Sequence, residues 1–388
     1  MKTSRRNHID LATLVSVLTL MVLSLAVVYS ASSTFALEKW GSSAKLMQLH
    51  LVKVVLGFVA IIVFMNIDYH SYAKKTKYVL IAAIGLLILT LALGGEAKGA
   101  TRWLRLWGLG FQPSEFARFA LLFHLCLLIS VKGNRVRDLS TGYFPMIMWV
   151  GVVTVLVLLQ PNFSTGIMIT VISLAMIFIG GARISHVAVT LLAAVPVLAA
   201  YMLSAPYRMR RILSYIGFAE ETASKVNYQL WQGIIGFGNG GLFGVGPGES
   251  KQRDFFLPES YGDFVFSIVG EEYGFIGTMV IVGLFFIVLW RGMKIARYAQ
   301  DQFGCLLAVG ITLSITGYAL VNAGVTLGLL PTTGLPMPFV SYGGSSLLFS
   351  SAAIGVLLNI SSQTDLHPRV TAGAINLPAS EPAVGRVY

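Results

Sequence analysis

Residues 246–277 read GPGESKQRDFFLPESYGDFVFSIVGEEYGFIG. The first half is a polar, glycine-rich loop carrying Lys251, Arg253, Asp254 and Glu259. Within a few residues of Asp263 it becomes an apolar run that still holds Glu271 and Glu272. Charges at the mouth of a membrane segment are costly to keep, so by default they mark a functional site. The pattern predicts an outer loop feeding a membrane helix, with Asp263 at the junction. An ionised carboxylate there can act as a general base toward a hydroxyl. It can also cap the helix that follows, because helix N-termini favour acids. Glu271 and Glu272 lie about 12–13 Å deeper along a helix, too far to share that hydroxyl. They are expected to pair with a buried base such as Lys53 or Arg118, or to bond to backbone.

Outward from this stretch the chain is apolar. Of 388 residues, 55% are hydrophobic and only 12% are charged, roughly half the charge fraction usual in a water-soluble domain. Runs long enough to cross a bilayer recur at about 11–36, 48–67, 78–94, 116–132, 143–160, 166–181, 187–204, 264–290, 304–330 and 346–360. The last is short and can begin earlier, in the Gly343-Gly344 turn. The fold expected is an all-α polytopic membrane protein of about ten transmembrane helices, with one long outer loop between spans seven and eight. Residues 1–360 form a single transmembrane domain, and 361–388, rich in Ser, Pro, Ala and Gly, a flexible cytoplasmic tail. The first run is too long for the apolar region of a cleaved signal peptide and is read as a retained helix. Cys126 and Cys305, both inside expected spans, read as packed thiols.

Short loops set the orientation. Lys2, Arg5 and Arg6, then Lys74, Lys75 and Lys77, then Lys132, Arg135 and Arg137, then Arg183, then Arg291, Lys294 and Arg297 all fall on one side. That side is the cytoplasm, and ten spans return the C-terminus to it. The outer side is also basic: Lys98, Arg102 and Arg105 in one loop, and Arg208, Arg210, Arg211, Lys225, Lys251 and Arg253 in the long one. The net charge of +11 is spread over membrane loops, which points to anionic lipid or an anionic membrane substrate and not to nucleic acid. A phosphate-bearing lipid would suit the outer arginines and lysines; so would simple pairing with head groups and nearby acids.

Three further stretches are polar where spans meet loops. WLRLWGLGFQPSEFAR, 103–118, puts Pro113 at a helix start with Ser114 and Glu115 in its first turn. Glu115 and Arg118 are three apart and share a helix face, either as a structural ion pair or with Arg118 or Arg102 on a phosphate. QPNFSTG, 160–166, is a tight turn or a cavity lining. LPTTGLPMPFVSYGGSS, 330–346, is a re-entrant loop or a rigid connector. The glycines of 236–248 follow no strand and precede no GK[ST], so a tight, close-packed turn over the membrane is expected there and no nucleotide loop.

On these pieces, together with YSASS at 29–33 and NYQLWQGIIGFGNGGLFGVGPGESKQRDFFLPESYGDFVFSIVGEEYGFIG, the chain resembles the SEDS family (shape, elongation, division and sporulation). It is closer to the FtsW branch than to RodA. The resemblance covers the chain to about residue 360. It implies a peptidoglycan glycosyltransferase that polymerises lipid II on the outer face of the bacterial cytoplasmic membrane and releases undecaprenyl pyrophosphate. A septal, cell-division role is favoured. The family's essential acid falls on Asp263. Its substrate-binding positions fall on Gln112, Ser114, Glu115, Arg102 and Arg118, and Arg208, Arg210, Lys251, Arg253 and Glu259 are added as candidates from the outer loop. A divalent cation, Mg2+ or Mn2+, is implied, and no nucleotide. Implied partners are lipid II, the growing glycan chain, membrane lipids, divisome proteins and a class B penicillin-binding protein. The chain departs from the family's wording at Tyr261 and Gly262, where histidine and threonine are common, at Asn162 for aspartate and at Arg118 for lysine. Asn162 cannot act as a base, and Arg118 offers a planar fork in place of a point charge. The alternatives are a lipid II flippase, which needs charges along a path across the bilayer, and a scaffold that recruits a transpeptidase and tolerates loss of Asp263.

Overall fold

The computed structural model describes residues 7–93, 95–97, 100–106, 109–203, 223–258 and 260–366. Each of the ten apolar runs is a helix: α1 Leu11–Trp40, α2 Lys45–Asn66, α3 Thr76–Leu93, α4 Pro113–Lys132, α5 Phe144–Leu159, α6 Phe163–Ile179, α7 Ile184–Leu203, α9 Val265–Arg297, α10 Gln302–Thr326 and α11 Gly344–Ser362. Among the described residues nine of these are long and apolar enough to cross a membrane, and α6 is shorter. Helix α8, Ala223–Gly240, lies in the long loop between α7 and α9.

Local chemistry sets the helix ends. The Asp10 side chain accepts from the Thr13 amide at 2.9 Å and caps α1, and Gly41, with φ 67°, ends it in a left-handed turn. Pro113 occupies the first turn of α4, with Glu115 in that turn and Lys132 in the last. Asp301 caps α10 by accepting from the Gly304 amide at 3.1 Å. Helix α11 packs most extensively on α2. A Cβ on Gly57 would run into Leu347 and Ser351, so the small residue lets the two backbones close.

The described N- and C-terminal residues meet at one end of the bundle. The Asn7 amide donates to Ser362 O at 2.7 Å, and the Asp10 amide to Ser361 Oγ at 3.0 Å. Arg291 Nε donates to Asp10 Oδ2 at 2.9 Å, and the two groups form an ion pair. Tyr69 joins the same end through Asn359 Oδ1 and Asp301 Oδ1. Ordered contacts therefore run a few residues beyond 360, where the tail was expected to begin; residues 367–388 lie outside the described set.

Two features of the opposite end were not expected from sequence. Three short strands, β1 Gly95–Ala97, β2 Ala100–Leu106 and β3 Leu109–Phe111, form an antiparallel sheet. Helix α9, expected as one span from 264, is broken at Gly274, whose φ of 65° and ψ of −161° are not helical. Every residue from Val265 to Glu272 is buried, whereas the large exposed apolar side chains begin at Phe275. The N-terminal part of α9 is thus a protein-enclosed segment, and the part after Gly274 carries the exposed apolar face.

The break is bridged by the glycine-rich loop. Val245 and Gly246 amides donate to Glu271 O and Glu272 O at 2.9 and 3.1 Å, and Phe275 and Ile276 amides donate to Gly241 O and Leu242 O at 2.9 and 3.2 Å. The loop supplies the partners the helix forfeits at the break, as buried backbone groups require. A Cβ on Gly274 or Gly244 would strike the facing backbone, and both residues have positive φ. The expectation of a tight, close-packed turn describes this loop well.

Candidate active site

Asp263 sits in the turn ahead of α9. The cap position of that helix is Phe264, one residue on from Asp263. The turn is tied down on three sides. Ser260 Oγ donates to Ala31 O on α1 at 2.7 Å. The Tyr342 amide donates to Tyr261 O at 3.0 Å. Asn322 Nδ2, on α10, donates to Asp263 O at 2.7 Å and to Leu335 O at 2.8 Å. One buried amide thereby clamps the Asp263 main chain to the 330–343 loop.

That loop passes close to the carboxylate. A Cβ built on Gly334 would lie 3.5 Å from Asp263 Oδ2, so the backbone there leaves the carboxylate room that a side chain would fill. Tyr261 and Tyr342 pack edge to face with ring centres 5.8 Å apart, and Phe35 covers Tyr261 at 5.4 Å. Burial raises both phenol pKa values above their ordinary range, which keeps them neutral beside the acid. The loop reading of 330–346 is thus the site-lining one.

The other end of the loop meets the second motif. Ser345 Oγ accepts from the Gln112 amide at 2.9 Å and donates to Gly110 O at 3.3 Å. Ser114 Oγ accepts from Asn162 Nδ2 at 3.4 Å. Arg102 donates from Nε to Gln160 O at 3.3 Å and from its terminal nitrogen to Pro161 O, so its guanidinium grips the 160–162 turn. Glu115 and Arg118 form a buried pair at 3.0 Å. The guanidinium lies 3.9 Å from the centre of the Tyr318 ring, and one of its nitrogens reaches Ser350 Oγ at 3.5 Å. Of the two readings of Glu115 and Arg118, this is the structural one.

In the third cluster, Arg253 contacts Asp254 at 3.5 Å and Ser30 Oγ at 3.2 Å, and Lys251 is exposed. Arg208, Arg210 and Glu259 lie outside the described residues. Glu271 and Glu272 do not pair with Lys53 or Arg118. Glu271 accepts from Ser250 Oγ, from the Gln252 amide at 3.1 Å and from Asn239 Nδ2 at 3.3 Å. Glu272 accepts from Ser30 Oγ. Glu271 thus holds the outer loop to α9 and Glu272 holds α1 to it, both through neutral donors and neither through Lys53 or Arg118.

The site therefore gathers Asp263, Tyr261 and the 330–346 loop at one place, and through Ser345 it reaches Gln112 and the start of α4. Sequence reading did not single out Asn322. A lone amide in an apolar span is itself a signal, because such groups face the bundle interior and find partners there.

A family model described as "Cell cycle protein", FTSW_RODA_SPOVE, matches residues 11–366. A protein of Trichlorobacter lovleyi described as "Probable peptidoglycan glycosyltransferase FtsW" is 39% identical over 95% of this chain and 97% of its own. "Stage V sporulation protein E" of Bacillus subtilis is 37% identical over 92% of this chain and 98% of its own. A chain of the solved structure "Structural coordination of polymerization and crosslinking by a peptidoglycan synthase complex" superposes with a TM-score of 0.74 at 24% identity, covering 91% of this chain and 97% of that one.

Proposed function

The chain belongs to the FtsW/RodA/SpoVE family, and from that premise we propose that it polymerises lipid II at the outer face of the bacterial cytoplasmic membrane, at the division septum. It is an integral membrane protein and a peptidoglycan glycosyltransferase. The observation that carries the mechanism is Asp263, held by its main chain to Asn322 with its carboxylate beside Gly334.

In the reaction the acceptor 4-hydroxyl attacks the anomeric carbon of the donor sugar. Asp263 takes the hydroxyl proton as the new C–O bond forms. The bond from the anomeric carbon to the pyrophosphate oxygen breaks, and undecaprenyl pyrophosphate leaves as an anion. Asp263 then returns its proton to water. The other buried carboxylates of the outer half are already engaged: Glu115 by Arg118, Glu271 by Ser250 and Gln252, Glu272 by Ser30. Among the described residues none of these three is left to form a covalent glycosyl intermediate, which favours single displacement with inversion.

A divalent cation would supply charge neutralisation at the leaving pyrophosphate. Among the described residues no three His, Cys, Asp or Glu side chains form a metal cluster. Mg2+ and Mn2+ keep mainly water and phosphate oxygens as ligands, so such a cation would come to this site with the pyrophosphate of the substrate. The solved complex of the structural neighbour joins polymerisation with crosslinking, which supports a class B penicillin-binding protein as partner here; a septal role adds divisome proteins to the expected partners.

The test is polymer formation from labelled lipid II by the purified protein with its transpeptidase partner and Mg2+ or Mn2+. Glycan strands from the parent and none from a folded Asp263→Asn variant are expected. Strands from both would remove Asp263 from the chemistry. Transbilayer movement of lipid II without strands from either would make the protein a flippase.

A further inference from the structure

Lys53 has no anion. It lies on α2, some eight residues and about 12 Å past the outer end at Lys45. Its Nζ stands 3.3 Å from the centre of the Tyr342 ring, and no carboxylate among the described residues reaches it within ion-pair distance. His50, on the same helix, meets Ser24 Oγ through Nε2 at 2.8 Å and packs its ring on Tyr342 at 5.7 Å. An aromatic face compensates an ammonium only in part.

The start of α11 faces the same lysine. A Cβ built on Gly344 would lie 3.4 Å from Lys53 Cε and 3.9 Å from its Nζ. The cap residue, Gly343, has no side chain to offer, and no side chain caps the helix. Its first amides therefore point outward without intrahelical acceptors, and the helix dipole adds positive potential. Ser346, in the first turn, is 5% exposed, and its Oγ has no partner among the described residues. An ammonium, uncapped amides and an orphaned buried hydroxyl thus cluster as a positive cup at the start of α11, and among the described residues no carboxylate pairs with the ammonium.

We propose that Lys53, Ser346 and the N-terminus of α11 form an anion site for the pyrophosphate of a polyprenyl-linked substrate. The proposal rests on the polymerising reading above. The cup adjoins the reacting centre through one loop: Tyr342, against Lys53, is bonded to Tyr261, and Gly334 of the same loop abuts Asp263. A pyrophosphate in the cup leaves its sugar on the Asp263 side and its polyprenyl tail on the membrane side. Lys53 touches the leaving group, while Asp263 touches the attacking hydroxyl.

The test uses the full chain in nanodiscs and titrates it with undecaprenyl pyrophosphate, with undecaprenol and with phosphatidylglycerol. Lys53→Met is expected to weaken undecaprenyl pyrophosphate at least tenfold and to leave undecaprenol unchanged. Lys53→Arg should restore most of the loss, and Ser346→Ala, which deletes only a hydroxyl, should give a smaller, pyrophosphate-selective loss. With lipid II, Lys53→Met should raise KM by a similar factor. Undecaprenyl pyrophosphate binding unchanged in a folded Lys53→Met protein would overturn the site, as would an equal loss for undecaprenol. Lys53-dependent competition by phosphatidylglycerol with no response to undecaprenyl pyrophosphate would also overturn it, making the cup a head-group site. Lys53-dependent binding of undecaprenyl pyrophosphate without glycan synthesis would keep the site and sink the polymerase reading.

Discussion

Asp263 and Glu271 stand eight residues apart on one segment, and the protein treats them in opposite ways. Glu271 is held by its carboxylate, which takes Ser250, Gln252 and Asn239. Asp263 is held by its main-chain carbonyl, which takes Asn322. A structural acid is fixed by using its charge as the fastener. The main chain of Asp263 is fastened by Asn322, so the position of this acid does not rest on its carboxylate alone. Function is thus carried by how a carboxylate is anchored and not by its being an acid in an apolar segment.

The contrast can be broken by experiment. Asp263→Asn should cut glycan synthesis by about 10²-fold or more, the usual contribution of a positioned base, with no shift in thermal midpoint. A large loss of stability would place Asp263 with Glu271 as a fastener. Glu271→Ala should do the reverse and destabilise the protein by about 3 kcal/mol, since it strands buried donors. Denaturation in detergent measures that, and the surviving folded fraction should polymerise at close to the parent rate per molecule. Asn322→Ala should fall between the two: kcat lower by about tenfold with KM little changed, equivalent to about 1.4 kcal/mol in the barrier. Asn322→Asp, isosteric but unable to donate when ionised, should fare no better; full activity in it would dissolve the clamp.

The smallest effect is expected at the far end of the bundle. Burial alone would raise the Asp10 pKa, but the Arg291 guanidinium and the Thr13 amide together hold it below the ordinary carboxylate value. A depressed folded pKa contributes stability above the unfolded value of 3.8, and that stability is lost as pH falls through the folded pKa. The parent should therefore lose stability below about pH 4, and Asp10→Asn should be less stable at neutral pH with a flatter acid limb. An identical acid limb in both would remove Asp10 from the acid response.

The ten helices were legible because an apolar run of span length has one low-cost conformation in a bilayer, a helix. The bundle's outer structure was not. The antiparallel sheet has strands of three, seven and three residues, too short to show an alternating period. The break at Gly274 is invisible in a run of uninterrupted hydropathy, since it depends on a loop that returns from some thirty residues upstream to supply the bonds. Asp263 was legible because it is a charge at a boundary. Its clamp was hidden because Asn322 lies far along the chain and looks like any polar residue in a span. The Glu115–Arg118 pair was legible from its spacing of three, whereas the grip of Arg102 on the 160–162 turn, far along the chain, was not.

The break in α9 has one more consequence. As a continuous helix its 33 residues would be about 50 Å long, against a hydrocarbon core of about 30 Å. A rigid rod that long would answer any change in bilayer thickness by tilting, and Asp263 would ride on its tip. Because Gly274 separates the part with the exposed apolar face from the buried N-terminal part, tilt below need not be transmitted above. The height of the carboxylate is set by the loop bonded across the break, so the enzyme's working level is referenced to its own outer surface and not to the thickness of the lipid around it. Thinner and thicker membranes should find Asp263 at the same place over the sugar.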